Sequence, residues 1–94
     1  MSDMEWQVTF TDELRQARKS YPCDASQHWL DCGVPDDECS PDQLLVLQAA
    51  RADGWKILRG QTYRYARGIF EGHMATYRAR PGMESLCHDH GLYD

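Results

Sequence analysis

A chain of 94 residues with a net charge of −5 is long enough for one small domain, so residues 1–94 are predicted to form a single domain. Its hydrophobic fraction of 41% is too high for a disordered chain, and no apolar run approaches the ~20 residues of a membrane span. The N-terminus shows no signal-peptide pattern, which predicts a cytoplasmic location and no membrane partner. In that reducing compartment, clustered cysteines bind metal or do redox work more often than they form disulfides.

The charged residues are unevenly distributed along the chain. Residues 1–54 carry eleven acidic and four basic side chains, whereas residues 55–82 carry six basic and one acidic. Either both signs decorate one solvated surface, or the molecule is bipolar, with an acidic face for one partner and a basic hairpin for another. On the bipolar interpretation, the partner-binding candidates are Asp36, Asp37, Glu38, Arg64, Arg67 and Arg78.

The first predicted elements are a short strand and a short helix. Trp6, Val8 and Phe10 alternate along residues 6–10, which is typical of a strand with one buried face. The threonine–aspartate pair that follows is a good N-cap, so a helix is predicted over residues 12–19.

Residues 21–40 are predicted to be a loop. The segment contains Pro22, Gly33 and Pro35 and five acidic residues, and yet it holds three of the four cysteines. A solvated linker would not contain so many cysteines and aromatics, so the composition indicates an organising element such as a bound ion.

The clearest prediction is a helix over residues 41–53. Ser40 is a good N-cap, Pro41 is a good first helical residue, and Gly54 followed by Trp55 favours a Schellman ending. Its apolar residues cover most of the circumference, which indicates either deep burial or a partner surface. A homodimer through helix 41–53 is therefore one prediction.

The segment 55–80 is predicted to form a β-hairpin with its tip at Glu71-Gly72, followed by a short helix near 83–90. The expected fold class is α+β, with a small antiparallel hairpin sheet and one main helix. The residues expected in the core are Trp6, Phe10, Leu44, Leu47, Ile57, Tyr63 and Tyr77.

The cysteines and histidines suggest a structural zinc site. Cys87 and His90 lie one helical turn apart, and a cysteine-bearing loop, a hairpin and a short helix follow one another as in a treble-clef-like site. The hypothesis is a closed tetrahedral site of Cys23, Cys32, Cys87 and His90, with Cys39 in reserve. Zinc suits thiolate and imidazole ligands, and it would stabilise a thin core. Plain buried thiols, or disulfides in an exported protein, are the alternatives.

Several of these segments resemble a group of small zinc-binding proteins encoded by phages and prophages. The similar stretches are ARKSYPCD, the Cys32-Gly33 pair, ILRGQTYRYARGIFEGHMATYRARP and the Leu86-Cys87 pair. This chain departs from the group in a longer first knuckle, an inserted helix and a final Cys-x2-His. The resemblance implies a phage origin and zinc more than it implies an activity.

Three function classes follow from the sequence. The first is a non-enzymatic accessory protein that binds and modulates or inhibits a host protein, for example in a defence system of the bacterial host cell. The second is a nucleic-acid-binding zinc module that uses the basic hairpin 55–80, although the net negative charge disfavours phosphate binding. The third is a metal-dependent nuclease with His73 as its base, although the sequence contains no recognisable catalytic motif. The prediction is that the protein is not an enzyme.

Overall fold

The computed structural model describes residues 8–93 and has the mixed α+β fold class that the sequence predicts. Trp6 and the first residues of the predicted N-terminal strand lie outside this range. The strands are β1 (Val8–Gln16), β2 (Tyr21–Pro22), β3 (Lys56–Ile57), β4 (Thr62–Phe70) and β5 (His73–Ala79). The helices are α1 (Asp24–Cys32), α2 (Pro41–Ala52) and α3 (Pro81–Asp89), with a 3₁₀ turn at Asp36–Glu38.

The main sheet has three antiparallel strands in the order β1-β4-β5, and β2 and β3 form a separate two-stranded sheet. The predicted hairpin tip is confirmed, since Phe70 pairs with His73 across the two residues Glu71 and Gly72. Both tip residues have positive φ, 52° and 82°, as a type I′ turn requires.

The helix predicted over residues 12–19 is wrong, because these residues continue the N-terminal strand as far as Gln16. Strand β1 pairs with β4 along its length, with a bulge between Thr9 and Thr11. Phe10 lies in this bulge and is 61% exposed, so the prediction that it belongs to the core is also wrong. The cross-strand ladder with β4 outweighs the moderate helix propensity of the segment.

The prediction of a loop over residues 21–40 is wrong for its first half, which contains α1. Cys23 caps this helix, with its sulfur accepting the N–H of Ser26, and Gly33 ends it in the left-handed conformation. Helix α3 confirms the short helix predicted near residues 83–90, so α1 is the helix that the sequence analysis missed.

Helix α2 confirms the predicted helix and both of its predicted ends. The Ser40 hydroxyl accepts the N–H of Gln43, and the Gln43 side chain accepts the N–H of Ser40, so the cap is a full capping box. At the other end, Trp55 donates its N–H to Ala50 and Gly54 donates to Arg51, which is the Schellman pattern.

The core lies between the helices and one face of the sheet. Helix α1 packs against α3 and β5, and α2 packs against α3. Leu47, Ile57, Tyr63 and Tyr77 are buried as predicted, and Leu44 is partly buried at the edge of this core. Other large residues that complete the core are Trp29, Met83, Leu86 and Tyr93. None of the helices in residues 8–93 is long and apolar enough to cross a bilayer.

Candidate functional site

Cys23 holds the junction between β2, α1 and the outer edge of β5. Its buried sulfur accepts the N–H of Ser26 at 3.4 Å and the N–H of Arg80 at 3.2 Å. One residue on, the carboxylate of Asp24 accepts the N–H of Arg78 at 2.9 Å. Side chains therefore bond two backbone N–H groups at the C-terminal end of β5, and Cys23 has a structural role in this conformation.

Cys87 is a buried thiol on the inner face of α3. Its Sγ donates to the carbonyl of Ala25 at 3.4 Å, and it also hydrogen-bonds to the side chain of Tyr93. Burial raises the pKa of the Cys87 thiol to about 12, so this group is protonated at neutral pH. Tyr93 in turn shares a buried hydroxyl–hydroxyl contact of 2.8 Å with Tyr77.

His90 and Cys32, the other two predicted zinc ligands, have different surroundings. His90 ends α3, stands edge-on to Trp29 and donates its Nε2 hydrogen to the side-chain oxygen of Gln43 at 3.3 Å. Cys32 is exposed at the end of α1, where its sulfur lies 3.8 Å from Nε2 of His28.

The structure does not bring the predicted zinc ligands together into a metal centre, and zinc binding stays a prediction. No group of three or more cysteine, histidine or acidic side chains within residues 8–93 is arranged to hold an ion. In this conformation the sulfur of Cys23 accepts two backbone N–H groups, and the Cys87 thiol donates its hydrogen to a backbone carbonyl. The reserve ligand, Cys39, packs at the edge of the core, and burial followed by the nearby carboxylates raises the pKa of its thiol.

The pair of Cys32 and His28 does not form a nucleophile–base pair. Nε2 of His28 lies 2.8 Å from the carbonyl of Leu92, and a carbonyl is an acceptor, so this nitrogen carries the hydrogen. It therefore cannot take a proton from the neighbouring Cys32 thiol. His28 stacks on Tyr93 instead, at 4.9 Å between ring centroids, and anchors the C-terminal turn.

The acidic residues of segment 20–50 are exposed along α1, the 3₁₀ turn and the start of α2. Residues 20–50 contain six carboxylates and no lysine or arginine. All six are exposed, and they are Asp24, Asp31, Asp36, Asp37, Glu38 and Asp42. We call this set the acidic surface. Asp36 makes an ion pair at 3.3 Å with Arg51 from the end of α2. The three predicted partner-binding carboxylates thus belong to one turn of chain.

Two arginines of the basic hairpin serve the fold. Arg64 on β4 makes a bidentate contact with Asp12 on β1 and a further ion pair with Glu84 on α3. Arg80 contacts Asp53 at 2.6 Å, and the hydrogen bonds from Gln61 and Arg80 lower the pKa of that carboxyl. The guanidinium groups of Arg64 and Arg80 therefore form ion pairs within the molecule, although the sequence analysis counted both residues as part of the basic hairpin.

The face of the sheet opposite Tyr77 carries tyrosines covered by arginines. Arg15 lies 3.8 Å above the ring of Tyr65, and Arg78 lies 5.3 Å from the same ring and 4.6 Å from that of Tyr21. Tyr63 and Tyr65 are buried beneath these contacts, so their rings are not open platforms for stacking bases. Arg67, on the same face, is exposed. Tyr63, Tyr65 and Arg78 of the basic hairpin 55–80 thus have a packing role.

A groove of about 340 Å³ lies between α1 and β5. Its aromatic lining includes Phe70, Tyr77 and Tyr93, and His28 and Asp31 of α1 stand on the other side. Sequence reasoning missed this groove because α1 was taken for a loop. The amphipathic pattern of Ala25, Ser26 and Trp29, all buried, is the signal that would have placed a helix there.

Comparison with known proteins gives no relative for this chain: no family model, no curated protein and no solved structure matches it.

Proposed function

We propose that this protein is a non-enzymatic accessory factor that binds a basic surface on a host protein and modulates or inhibits it. The observation that carries the proposal is the acidic surface, because residues 20–50 expose six carboxylates with no lysine or arginine among them. A field of one sign steers and orients a partner of opposite charge. The matching partner is a protein with a basic patch, such as one that itself binds nucleic acid.

A second feature of the same chain segment supports a protein partner. Leu30 on α1 and Leu45 on α2 are exposed at 44% and 66%, in the two helices that carry three of the six carboxylates of the acidic surface. Protein interfaces combine an apolar centre with a polar rim, whereas a solvated face has no need of exposed leucines. The setting that the phage resemblance implies is the cytoplasm of a bacterial host cell.

The test is capture from host lysate by immobilised protein, compared with two variants of equal net charge. Asp37→Lys changes the middle of the acidic 3₁₀ turn, and Asp89→Lys makes the same charge change at the exposed end of α3. We expect Asp37→Lys to lose the captured host protein and Asp89→Lys to retain it. Binding should also weaken between low and physiological salt. Equal capture by all three proteins at every salt concentration would overturn the proposal.

The alternative is nucleic-acid binding through the hairpin 55–80, favoured by the exposed Arg67 beside Arg15 and Arg78 on the tyrosine-bearing face. Binding of a labelled single strand should then fall steeply with salt, and Arg67→Ala should reduce the salt slope by about one contact. Protein that leaves the labelled strand unbound at low salt would exclude this alternative.

The zinc site of the sequence analysis stays a separate prediction, and the proposed binding does not require it. Metal content of protein purified without chelator tests it directly.

A further inference from the structure

The two edges of the three-stranded sheet differ in how their outward backbone groups are hydrogen-bonded. Along β5, Asp24 and Cys23 accept the outward N–H groups of Arg78 and Arg80. Along β1, the nine residues Val8–Gln16 pair with β4 on one side, and within residues 8–93 no other strand pairs with them. An open edge of this length is a template for a further strand.

Strand β1 also presents apolar side chains to solvent. Val8, Phe10 and Leu14 are exposed at 44%, 61% and 64%. Leu14 lies on the same sheet face as Ala66 and Tyr77. Helices pack on this face over β4 and β5, and β1 extends past them. The strand therefore offers both unpaired backbone and apolar surface in one place.

We propose that β1 pairs antiparallel with β1 of a second copy of this chain, about a two-fold axis at Leu14. This inference does not depend on the proposed function. Two copies joined in this way are related by an axis perpendicular to the sheet, so opposite residues lie on the same face. The two three-stranded sheets then form one continuous sheet.

The charges of β1 select this register. With the axis at Leu14, each Leu14 faces the partner copy's identical leucine, and each Glu13 faces an Arg15 of the other copy. An axis at Asp12, Glu13 or Arg15 would instead bring two like charges face to face, which is destabilising. Within one chain, Glu13 and Arg15 already pair at 2.6 Å on one face, so the dimer would hold four alternating charges around its axis.

The first test measures the mass of the full chain by sedimentation over a wide concentration range. Wild type should pass from monomer to dimer, and because a short edge pairing buries less than a standard interface, we expect dissociation in the micromolar range. Leu14→Lys should weaken the dimer at least tenfold. Leu45→Lys is the matched control, since Leu45 is 66% exposed on α2 and Leu14 is 64% exposed.

A dimer lost in Leu45→Lys and kept in Leu14→Lys would overturn the proposal in favour of an interface on helix 41–53. Wild type that stays monomeric at every concentration would overturn it as well. Thermal melts of both variants show that the monomer is folded, because neither leucine belongs to the core.

The second test addresses the register. Glu13→Arg and Arg15→Glu should each be impaired as homodimers, because each places like charges opposite one another across the axis. An equimolar mixture of the two variants should form a heterodimer, since every arginine at these two positions in one variant then faces a glutamate in the other. A mixture no better than either variant alone would refute the axis at Leu14.

Discussion

At the scale of single residues, the cysteines that suggested a metal site have three different environments. Cys23 is a cap and an acceptor for two backbone N–H groups, and Cys87 is a protonated donor inside the core. Cys32 is exposed beside a histidine whose facing nitrogen already carries a hydrogen. Buried thiols of this kind behave as small hydrophobic residues with a weak hydrogen bond. Their spacing in the sequence does not distinguish this use from metal binding.

These environments predict an order of thiol reactivity. Cys32 should react first with an aromatic disulfide reagent at neutral pH, and Cys39 more slowly because its thiol pKa is raised. Cys23 and Cys87 should react only when the protein unfolds, because both are buried. Mass spectrometry of the labelled peptides gives the order. Chelator-induced exposure of Cys87 would instead indicate that a metal ion protects it.

At the scale of elements, the parts whose signals are local could be predicted from the sequence. Helix α2 has a capping box and a Schellman ending within its own residues, and the hairpin tip has a glycine where φ is positive. Strand β1 and helix α1 depend on distant partners. The ladder with β4 makes residues 12–16 a strand, and the contact of α1 with β5 and α3 makes residues 24–32 a helix. A local sequence pattern shows neither partner, so the segment that holds three of the four cysteines was predicted as a loop although it contains α1.

The hairpin tip offers a stabilising substitution. Glu71 has a φ of 52°, which costs a side chain other than asparagine or glycine roughly 1 kcal/mol. Glu71→Asn should raise the free energy of unfolding by about 0.5–1 kcal/mol, because Asn-Gly is the favoured type I′ pair. Chemical denaturation measures the change. Glu71→Gln is the control, and an equal gain there would mean that the charge of Glu71, not its backbone, is responsible.

The close approach of β1 to β4 depends on Gly68. A Cβ at this position would lie 2.0 Å from the carbonyl oxygen of Val8, so the start of β1 would have to move. Gly68→Ala should cost roughly 1–3 kcal/mol of stability and speed amide exchange in residues 8–12. Gly82→Ala is the comparison, since its Cβ would meet a methyl group of Val46 that can yield. Equal costs for both variants would contradict this account.

At the scale of the whole molecule, Arg64 joins the sheet to the helical layer. Its guanidinium lies on the central strand and reaches Asp12 on the edge strand and Glu84 on α3, so one side chain connects three elements. The hydrogen bonds from Arg64 lower the pKa of Asp12. A carboxyl whose pKa is lowered in the folded state stabilises the fold at pH values above its unfolded pKa of about 3.9. This stability is lost as the pH falls through the pKa of the folded state.

Arg64→Met should therefore lower stability by about 1–2 kcal/mol at neutral pH, since it leaves the half-buried Glu84 without its cation and the more exposed Asp12 without its partner. The difference from wild type should shrink below about pH 4. Urea unfolding at several pH values measures it. Asp12→Asn should show a smaller loss at neutral pH, and a pH-independent difference for Arg64→Met would contradict the role assigned to the carboxylates.

The bonded N–H groups at the C-terminal end of β5 also bear on assembly. A sheet with two open edges can recruit copies without end and grow into a fibre, which is the hazard of exposed strands. Here Asp24 and Cys23, from the same chain, occupy the N–H groups of Arg78 and Arg80 that a newcomer would need. Growth through β1 would consume the open edge of each molecule, and a further copy at β5 would find the N–H groups at the C-terminal end of that strand already bonded. The two side chains at the start of α1 therefore disfavour the extension of a dimer into a filament.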